Sequence, residues 1–444
     1  MFLRIILAAM LLCLLGCSDF IHPVKSTPEP ESEYAFNYWL LQKVYLYEDR
    51  LADLPKDGDS DSIQQQLYSF LKDPYTTYTP PSKSEAVITQ INTSLIVGGD
   101  IGMLYYTFNE IEHPIYIKRV YAKSPAGRAG VPRYGNIIEA NGIDLTGERA
   151  KAIYDSIVDY SKTIDIRVVY NKDTNSFTLQ KETVYAPTVL VDTSFYNPDK
   201  GYPGIIFVSI DGFKPKTADQ VSGTYGEIKA YLDSTTTDKR VRVLDLRNNP
   251  GGHVDQCIKI ADLFSKKGTL SSRRWRALTA DGESAYREST NKAKAGDIGE
   301  NGKYIILGNR GSASCAEIFI AAVTETTDIP FVGMRTFGKG IGQTSFKTYA
   351  GGLAKITDLE FFTPNGNSYH GKGIYPKYEC EGAVNDTCAA KIANKLYGVK
   401  IPQSSEGLAK RSMDAKEEKK EFEGGAIEWA DEKTYLKFFE KSKF

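Results

Sequence analysis

This chain lacks an excess of charge of either sign. Across 444 residues, 55 Lys and Arg meet 56 Asp and Glu, giving a formal net charge of −1, and the cations are spread along the chain. Neutralising a phosphate backbone needs a basic stripe, so nucleic acid is not an expected partner. Histidine is scarce, with 4 residues, and so is cysteine, with 6. The histidines do not gather beside the cysteines, which argues against a zinc centre. There is no internal repeat. What is present is an ordinary globular balance, 41% hydrophobic and 25% charged, in a length that suits roughly two or three domains and a sizeable core.

The start of the chain, "MFLRIILAAMLLCLLGC", carries Arg4 and then an apolar stretch of about a dozen residues, too short to span a bilayer comfortably. Residues 1–16 read as a secretion signal. Leu14-Leu15-Gly16-Cys17 resembles the bacterial lipobox, which implies lipidation of Cys17; an ordinary signal peptide with an incidental cysteine is the alternative. Several acyl chains on one residue would anchor the protein stably. The expected location is then the bacterial cell envelope, on the outer membrane facing the periplasm or the cell surface. Residues 17–32 are polar and Pro-rich and suit an extended tether. With Cys13 and Cys17 assigned to the leader and the lipid, Cys257, Cys315, Cys380 and Cys388 remain. Cys380 and Cys388 suit a disulfide in an oxidising compartment.

Helical spacing in "YAFNYWLLQKVYLYEDRL" and "SIQQQLYSFLKD" predicts a small helical region over 33–92. Residues 93–185 change character, with "PIYIKRVYA" and "DIRVVY" reading as strands and "GERAKAIYDSIVDY" as a helix. From Gly201 on, "GIIFVSI", "VRVLDLR", "KYIILG" and "PFVGM" alternate with helical runs. Such alternation predicts an α/β layer with a largely parallel sheet, over 186–402. In these layers sites gather in loops at the C-terminal ends of strands. The charge-rich segment 403–444 reads as a solvated helix or linker that closes on a short amphipathic helix, "EWADEKTYLKFFEKSKF".

Three loops of the α/β part stand out. In "LDLRNNPGG" a Gly pair either serves a turn or lets backbone N–H groups approach a substrate carbonyl. In "GSASCAEIF", Ser314 with Glu317 fits a capping box, yet a serine at the start of a helix is also a candidate nucleophile. In "RTFGKGIGQ", Lys339 lies among glycines with Gln343 four residues on. To act as a base it must be neutral near pH 7, which requires desolvation or nearby positive potential. A second assignment makes Cys315 the nucleophile, its thiol acidified at a helix start, with His253 or His370 as base.

Taken in order, the three loops resemble those of the carboxyl-terminal processing, or tail-specific, proteases, serine peptidases with a Ser-Lys dyad. Ser312-Ala313-Ser314-Cys315-Ala316-Glu317-Ile318 keeps the frame of their nucleophile loop, and Thr336-Phe337-Gly338-Lys339-Gly340 repeats their lysine motif. "VYAKSPAGRAGV" and "GGDIGM" resemble the PDZ domain of these proteases, while "DPYTTYTPP" and "GKGIYPKY" resemble the segments that flank it and close the core. The resemblance implies an α/β protease core of the ClpP/crotonase-like layered kind, with an inserted or preceding PDZ-like domain and a small helical N-terminal region. It implies catalysis by Ser314, Lys339 and Gln343, an oxyanion hole at Gly252 and Cys315, and a peptide carboxylate received near Gly99, Asp100, Ile101 and Gly102. Neither a cofactor nor a metal is needed for that chemistry. The expected partners are proteins or peptides with free, accessible C-termini. A catalytically silent, PDZ-containing peptide-binding lipoprotein is the alternative. Cys315-Ala316 departs from the commoner Ala-Ser, and Asn136 stands where the family often has Asp.

Overall fold

A computed structural model of the chain describes residues 32–51, 54, 61–107, 112–133, 135–192, 204–380, 386–400 and 426–429. The leader, Cys17, the tether before Ser32 and most of the tail lie outside the described residues. Among the described residues, no helix is long and apolar enough to cross a membrane.

Helix α1 (Glu33–Val44) is opened by Ser32, whose Oγ accepts the Ala35 N–H at 3.0 Å. It buries Phe36, Leu40, Leu41 and Val44, and Asn37 accepts the Tyr68 hydroxyl at 2.7 Å from helix α2 (Asp61–Ser69). The chain then forms strand β1 (Thr77–Thr79) and, started by a proline, helix α3 (Pro81–Asn92).

The next unit holds β2 (Leu95–Asp100), β3 (Met103–Thr107), β4 (Ile115–Val120), the single turn α4 (Pro125–Arg128) and β5 (Asn136–Ala140). It continues through β6 (Ile143–Asp144), α5 (Ala150–Tyr160), β7 (Thr163–Tyr170), β8 (Asp173–Gln180) and β9 (Glu182–Tyr185). Along β7 the side chains of Ile164, Ile166 and Val168 point inward at period two while their neighbours face water. They build a core with Ile101, Ile137 and Tyr154. The sheet runs β3-β4-β5-β7-β8, so β3 is an edge strand; β2 pairs with β9 where the chain enters and leaves the unit.

The rest of the chain contains β10 (Val189–Asp192), β11 (Ile205–Ile210), α6 (Gly223–Ser234), β12 (Val241–Asp245) and α7 (Val254–Asp262). The hairpin β13 (Thr269–Leu278) and β14 (Ser284–Lys292) follows, then β15 (Lys303–Gly308), α8 (Cys315–Thr326) and β16 (Phe331–Gly333). Last come β17 (Ile341–Lys347), β18 (Leu353–Phe362), β19 (Tyr378–Glu379), α9 (Asp386–Tyr397) and β20 (Ala426–Trp429). One sheet has the order β10-β11-β12-β15-β16-β19, parallel from β11 onward. Its strands are continuous apolar runs because both faces are covered. Ile206, Val208, Leu244 and Ile306 pack with Ile260, Phe319 and Ile320, while Phe207, Val243, Ile305 and Leu307 meet Ala389, Ala390 and Ala393 of α9. A disulfide joins Cys380, at the end of β19, to Cys388 in α9.

The second sheet runs β14-β13-β18-β17-β20, with β1 on β18. Leu359 and Phe361 of β18 join the core built on α7 and α8, whereas Leu278, Phe346, Ala354 and Ile356 join the α1 and α2 core. The N-terminal helical region is therefore built onto the second sheet. One sequence expectation needs correcting here, and one hairpin lies where no element was expected from the sequence. The hairpin β13–β14 went unread, because an alternation such as Arg274, Trp275, Arg276 carries charge on a half-exposed strand. In the tail, Glu428 and Trp429, expected in a helix, are strand instead: β17 offers an open edge, and Ala426–Trp429 pairs with Gly342–Ser345.

Candidate active site

The three loops singled out in the sequence follow the C-terminal ends of β12, β15 and β16, neighbouring strands of the parallel sheet. Buried side chains hold them in register. Ser312 donates to the Leu246 carbonyl at 2.7 Å, and Asn249 accepts the Gly251 N–H at 2.9 Å while donating to the Ile210 carbonyl. The Ala313 N–H donates to the Asn249 carbonyl at 2.9 Å, and the Phe337 N–H to the Ser312 carbonyl at 3.0 Å.

Ser314 immediately precedes α8 with φ 55 and ψ −117. A non-glycine residue in that region stores on the order of 1–3 kcal/mol. Glu317 Oε2 accepts the Ser314 N–H at 2.9 Å, as a capping residue would. The Ser314 side chain stands in capping-box position toward the Glu317 N–H but makes no hydrogen bond there: Oγ is buried and has no hydrogen-bond partner among the described residues. An orphaned buried hydroxyl is unusual and calls for a use.

Gly251 faces this serine. A Cβ at Gly251 would lie 2.8 Å from Ser314 Cβ and 3.0 Å from the Cys315 nitrogen, and its φ is +105. Gly252, at φ +144, would drive a Cβ to 2.1 Å from the Phe213 carbonyl oxygen. Phe213 donates to the Gly251 carbonyl and accepts from the His253 N–H, so the bridge does not use the N–H of Gly252. The Cys315 N–H opens α8, where helical N–H groups lack partners and carry partial positive charge.

Lys339 is 2% exposed. Its Nζ donates to Gln343 Oε1 at 3.1 Å and stands 4.0 Å from the centre of the Tyr75 ring. Burial, reinforced by the charge of Lys355, brings its pKa down to about 7. Gln343 donates through Nε2 to Thr357 Oγ1 at 3.2 Å. The Thr357 N–H donates to Thr76 Oγ1 at 2.9 Å, and the Thr76 hydroxyl donates to Asp73. The "DPYTTYTPP" segment thereby braces the lysine.

Glu317 ties the serine and lysine loops together. Its carboxylate accepts from Thr336 Oγ1 at 2.5 Å and from the N–H groups of Gly338 and Lys339, each at 2.7 Å, besides that of Ser314. Sequence reasoning saw this residue only as a cap. The available signal was an acid inside an otherwise apolar helix, "CAEIFIAAV". Asn249, Tyr75 and Thr357 were also missed, since nothing local in the sequence reports their partners.

Cys315 is fully buried in the core cluster that also holds Cys257, whose thiol donates to the Val254 carbonyl at 3.3 Å. Burial pulls His253 down to about 4 and lowers His370, so both imidazoles are neutral at pH 7. Gly99 and Asp100 end β2, and Ile101 and Gly102 form the turn into β3, in a different sheet from the three loops.

Residues 204–380 match the model of Peptidase family S41. A "Probable CtpA-like serine protease" of Staphylococcus aureus is 27% identical over 361 residues, covering 79% of this chain and 68% of its own. The protein of that description from Staphylococcus epidermidis is 27% identical over 371 residues, covering 80% and 69%. A solved structure from Bacteroides fragilis assigned to the S41 proteases has the same fold, with a TM-score of 0.55 at 15% identity over 86% of this chain and 100% of that one. With these matches and the three assembled loops, residues 204–380 are a Peptidase family S41 region, and the chain is similar to CtpA-like serine proteases.

Proposed function

We propose that this serine peptidase cuts polypeptides with a Ser314–Lys339 dyad. The observation that carries the reading is a buried Ser314 hydroxyl without a hydrogen-bond partner among the described residues, on a loop that Glu317 ties to the loop of buried Lys339, whose pKa is near 7. Neutral Nζ takes the proton from Oγ as Oγ attacks the scissile carbonyl, and then passes it to the leaving amine. Gln343 and Tyr75 hold the amine in place. The N–H groups of Gly252 and Cys315 receive the oxyanion; losing one such donor typically costs about 3 kcal/mol. The Ser314 N–H takes no part, being engaged by Glu317. Water then attacks the acyl-serine, with Lys339 acting once more as base.

In this reading the core is a ClpP/crotonase-like layer, and residues 93–185 are a PDZ-like module that takes an extended segment along the edge of β3, beside α5. Cys17 carries lipid and holds the enzyme at the cell envelope. Radiolabelled palmitate should enter the wild-type chain in cells and not Cys17→Ala; label in both would refute the anchor.

The catalytic reading is tested by incubating the purified chain with an unstructured protein. Cleavage should disappear in Ser314→Ala and Lys339→Ala and persist in Cys315→Ala. Cleavage that survives Ser314→Ala would reject the dyad.

A further inference from the structure

The turn between β2 and β3 already holds a carboxylate. Asp100 Oδ1 accepts the Gly102 N–H at 2.5 Å. The backbone leaves little freedom for another arrangement. Gly102 has φ +80, and a Cβ there would fall 1.9 Å from Ser124 Cβ. The carbonyls of Ile101 and Gly102 are engaged by the "SPAG" turn, accepting the N–H groups of Ala126 at 2.9 Å and Tyr121 at 3.0 Å. The Gly102 N–H is thus committed to an acceptor that belongs to the chain itself.

A peptide's terminal carboxylate received at this turn would need that donor. Each N–H carries a single proton, and two carboxylates at hydrogen-bond separation repel each other. The edge of β3 is a separate resource: strand addition draws on its main chain and is independent of the turn. We propose that Asp100 is a built-in stand-in for the peptide carboxylate, so that the module selects extended segments by strand addition and does not require a free C-terminus. The inference rests on the peptide-binding reading of residues 93–185. It widens the substrate class from free tails to unfolded internal segments.

Binding of a short fluorescein-labelled peptide with apolar C-terminal residues to the full chain, carrying Ser314→Ala to prevent cleavage, tests this by anisotropy. The peptide is used as free acid and as C-terminal amide. The two forms should bind within about twofold of each other, and Asp100→Ala should favour the free acid by roughly tenfold, as the Gly102 N–H becomes available and the repelling carboxylate is removed. Asp100→Asn, which keeps an acceptor in the turn and so protects its fold, should shift the preference the same way by less. A strong free-acid preference without any change at Asp100 would overturn the inference while leaving the peptide-binding reading intact. Binding of neither form to any variant would overturn that reading, and the inference with it.

Discussion

Lys339 sits where an ammonium loses most of its hydration, with the charge of Lys355 nearby. At an ordinary lysine pKa only about one molecule in several thousand would carry a neutral amine at pH 7, whereas at about 7 roughly half do. A base must be neutral to accept a proton, so the rate follows the deprotonated fraction. The pH profile of kcat/KM should therefore have an acid limb with its midpoint near pH 7, falling about tenfold for each further pH unit of acidification. An acid limb near pH 4 instead, where neutral His253 would begin to protonate, would assign the base elsewhere. Ser314, Lys339 and Gln343 were legible in the sequence because their loops are short and local. The depressed pKa was not, because it arises from burial in the folded chain, where the ring of Tyr75, distant in sequence, lies 4.0 Å from Nζ.

At the scale of elements, α8 does two tasks with one turn. Its first residue offers an N–H toward the site, and its third, Glu317, holds the serine and lysine loops through four hydrogen bonds. Glutamine at that position keeps the shape, but its amide nitrogen can only donate toward N–H groups that need an acceptor. Glu317→Gln should lower stability by roughly 2–3 kcal/mol in urea denaturation, as charged hydrogen bonds are lost from a buried site. It should also lower kcat more than it raises KM, because the loops it aligns carry the two residues of the proposed dyad. Unchanged kcat in a folded variant would reduce Glu317 to a simple cap. The strands of the parallel sheet, and the helices between them, could be read from the sequence because they are apolar throughout or periodic. The second sheet was harder, since β13 and β14 carry polar residues on their open faces, and β20 becomes a strand only by pairing with β17.

At the scale of the whole molecule, the N-terminal region supports the site directly: β1 pairs with β18, and Asp73, Tyr75 and Thr76 come from the segment just before it. Tyr75 both attracts an ammonium through its ring and keeps water from Lys339. Burial is the larger influence on this lysine, so Tyr75→Ala should move the acid limb to higher pH as water returns; a shift to lower pH would mean that the ring mainly favours the charged form. The account as a whole depends on which atom becomes acylated. Acid quench of the wild-type chain during turnover of a peptide ester, followed by peptide mapping by mass spectrometry, answers this directly. The account predicts the acyl group on Ser314 Oγ and none in Lys339→Ala, whereas an acyl group on Cys315 Sγ, or on no residue at any time of quench, would contradict it.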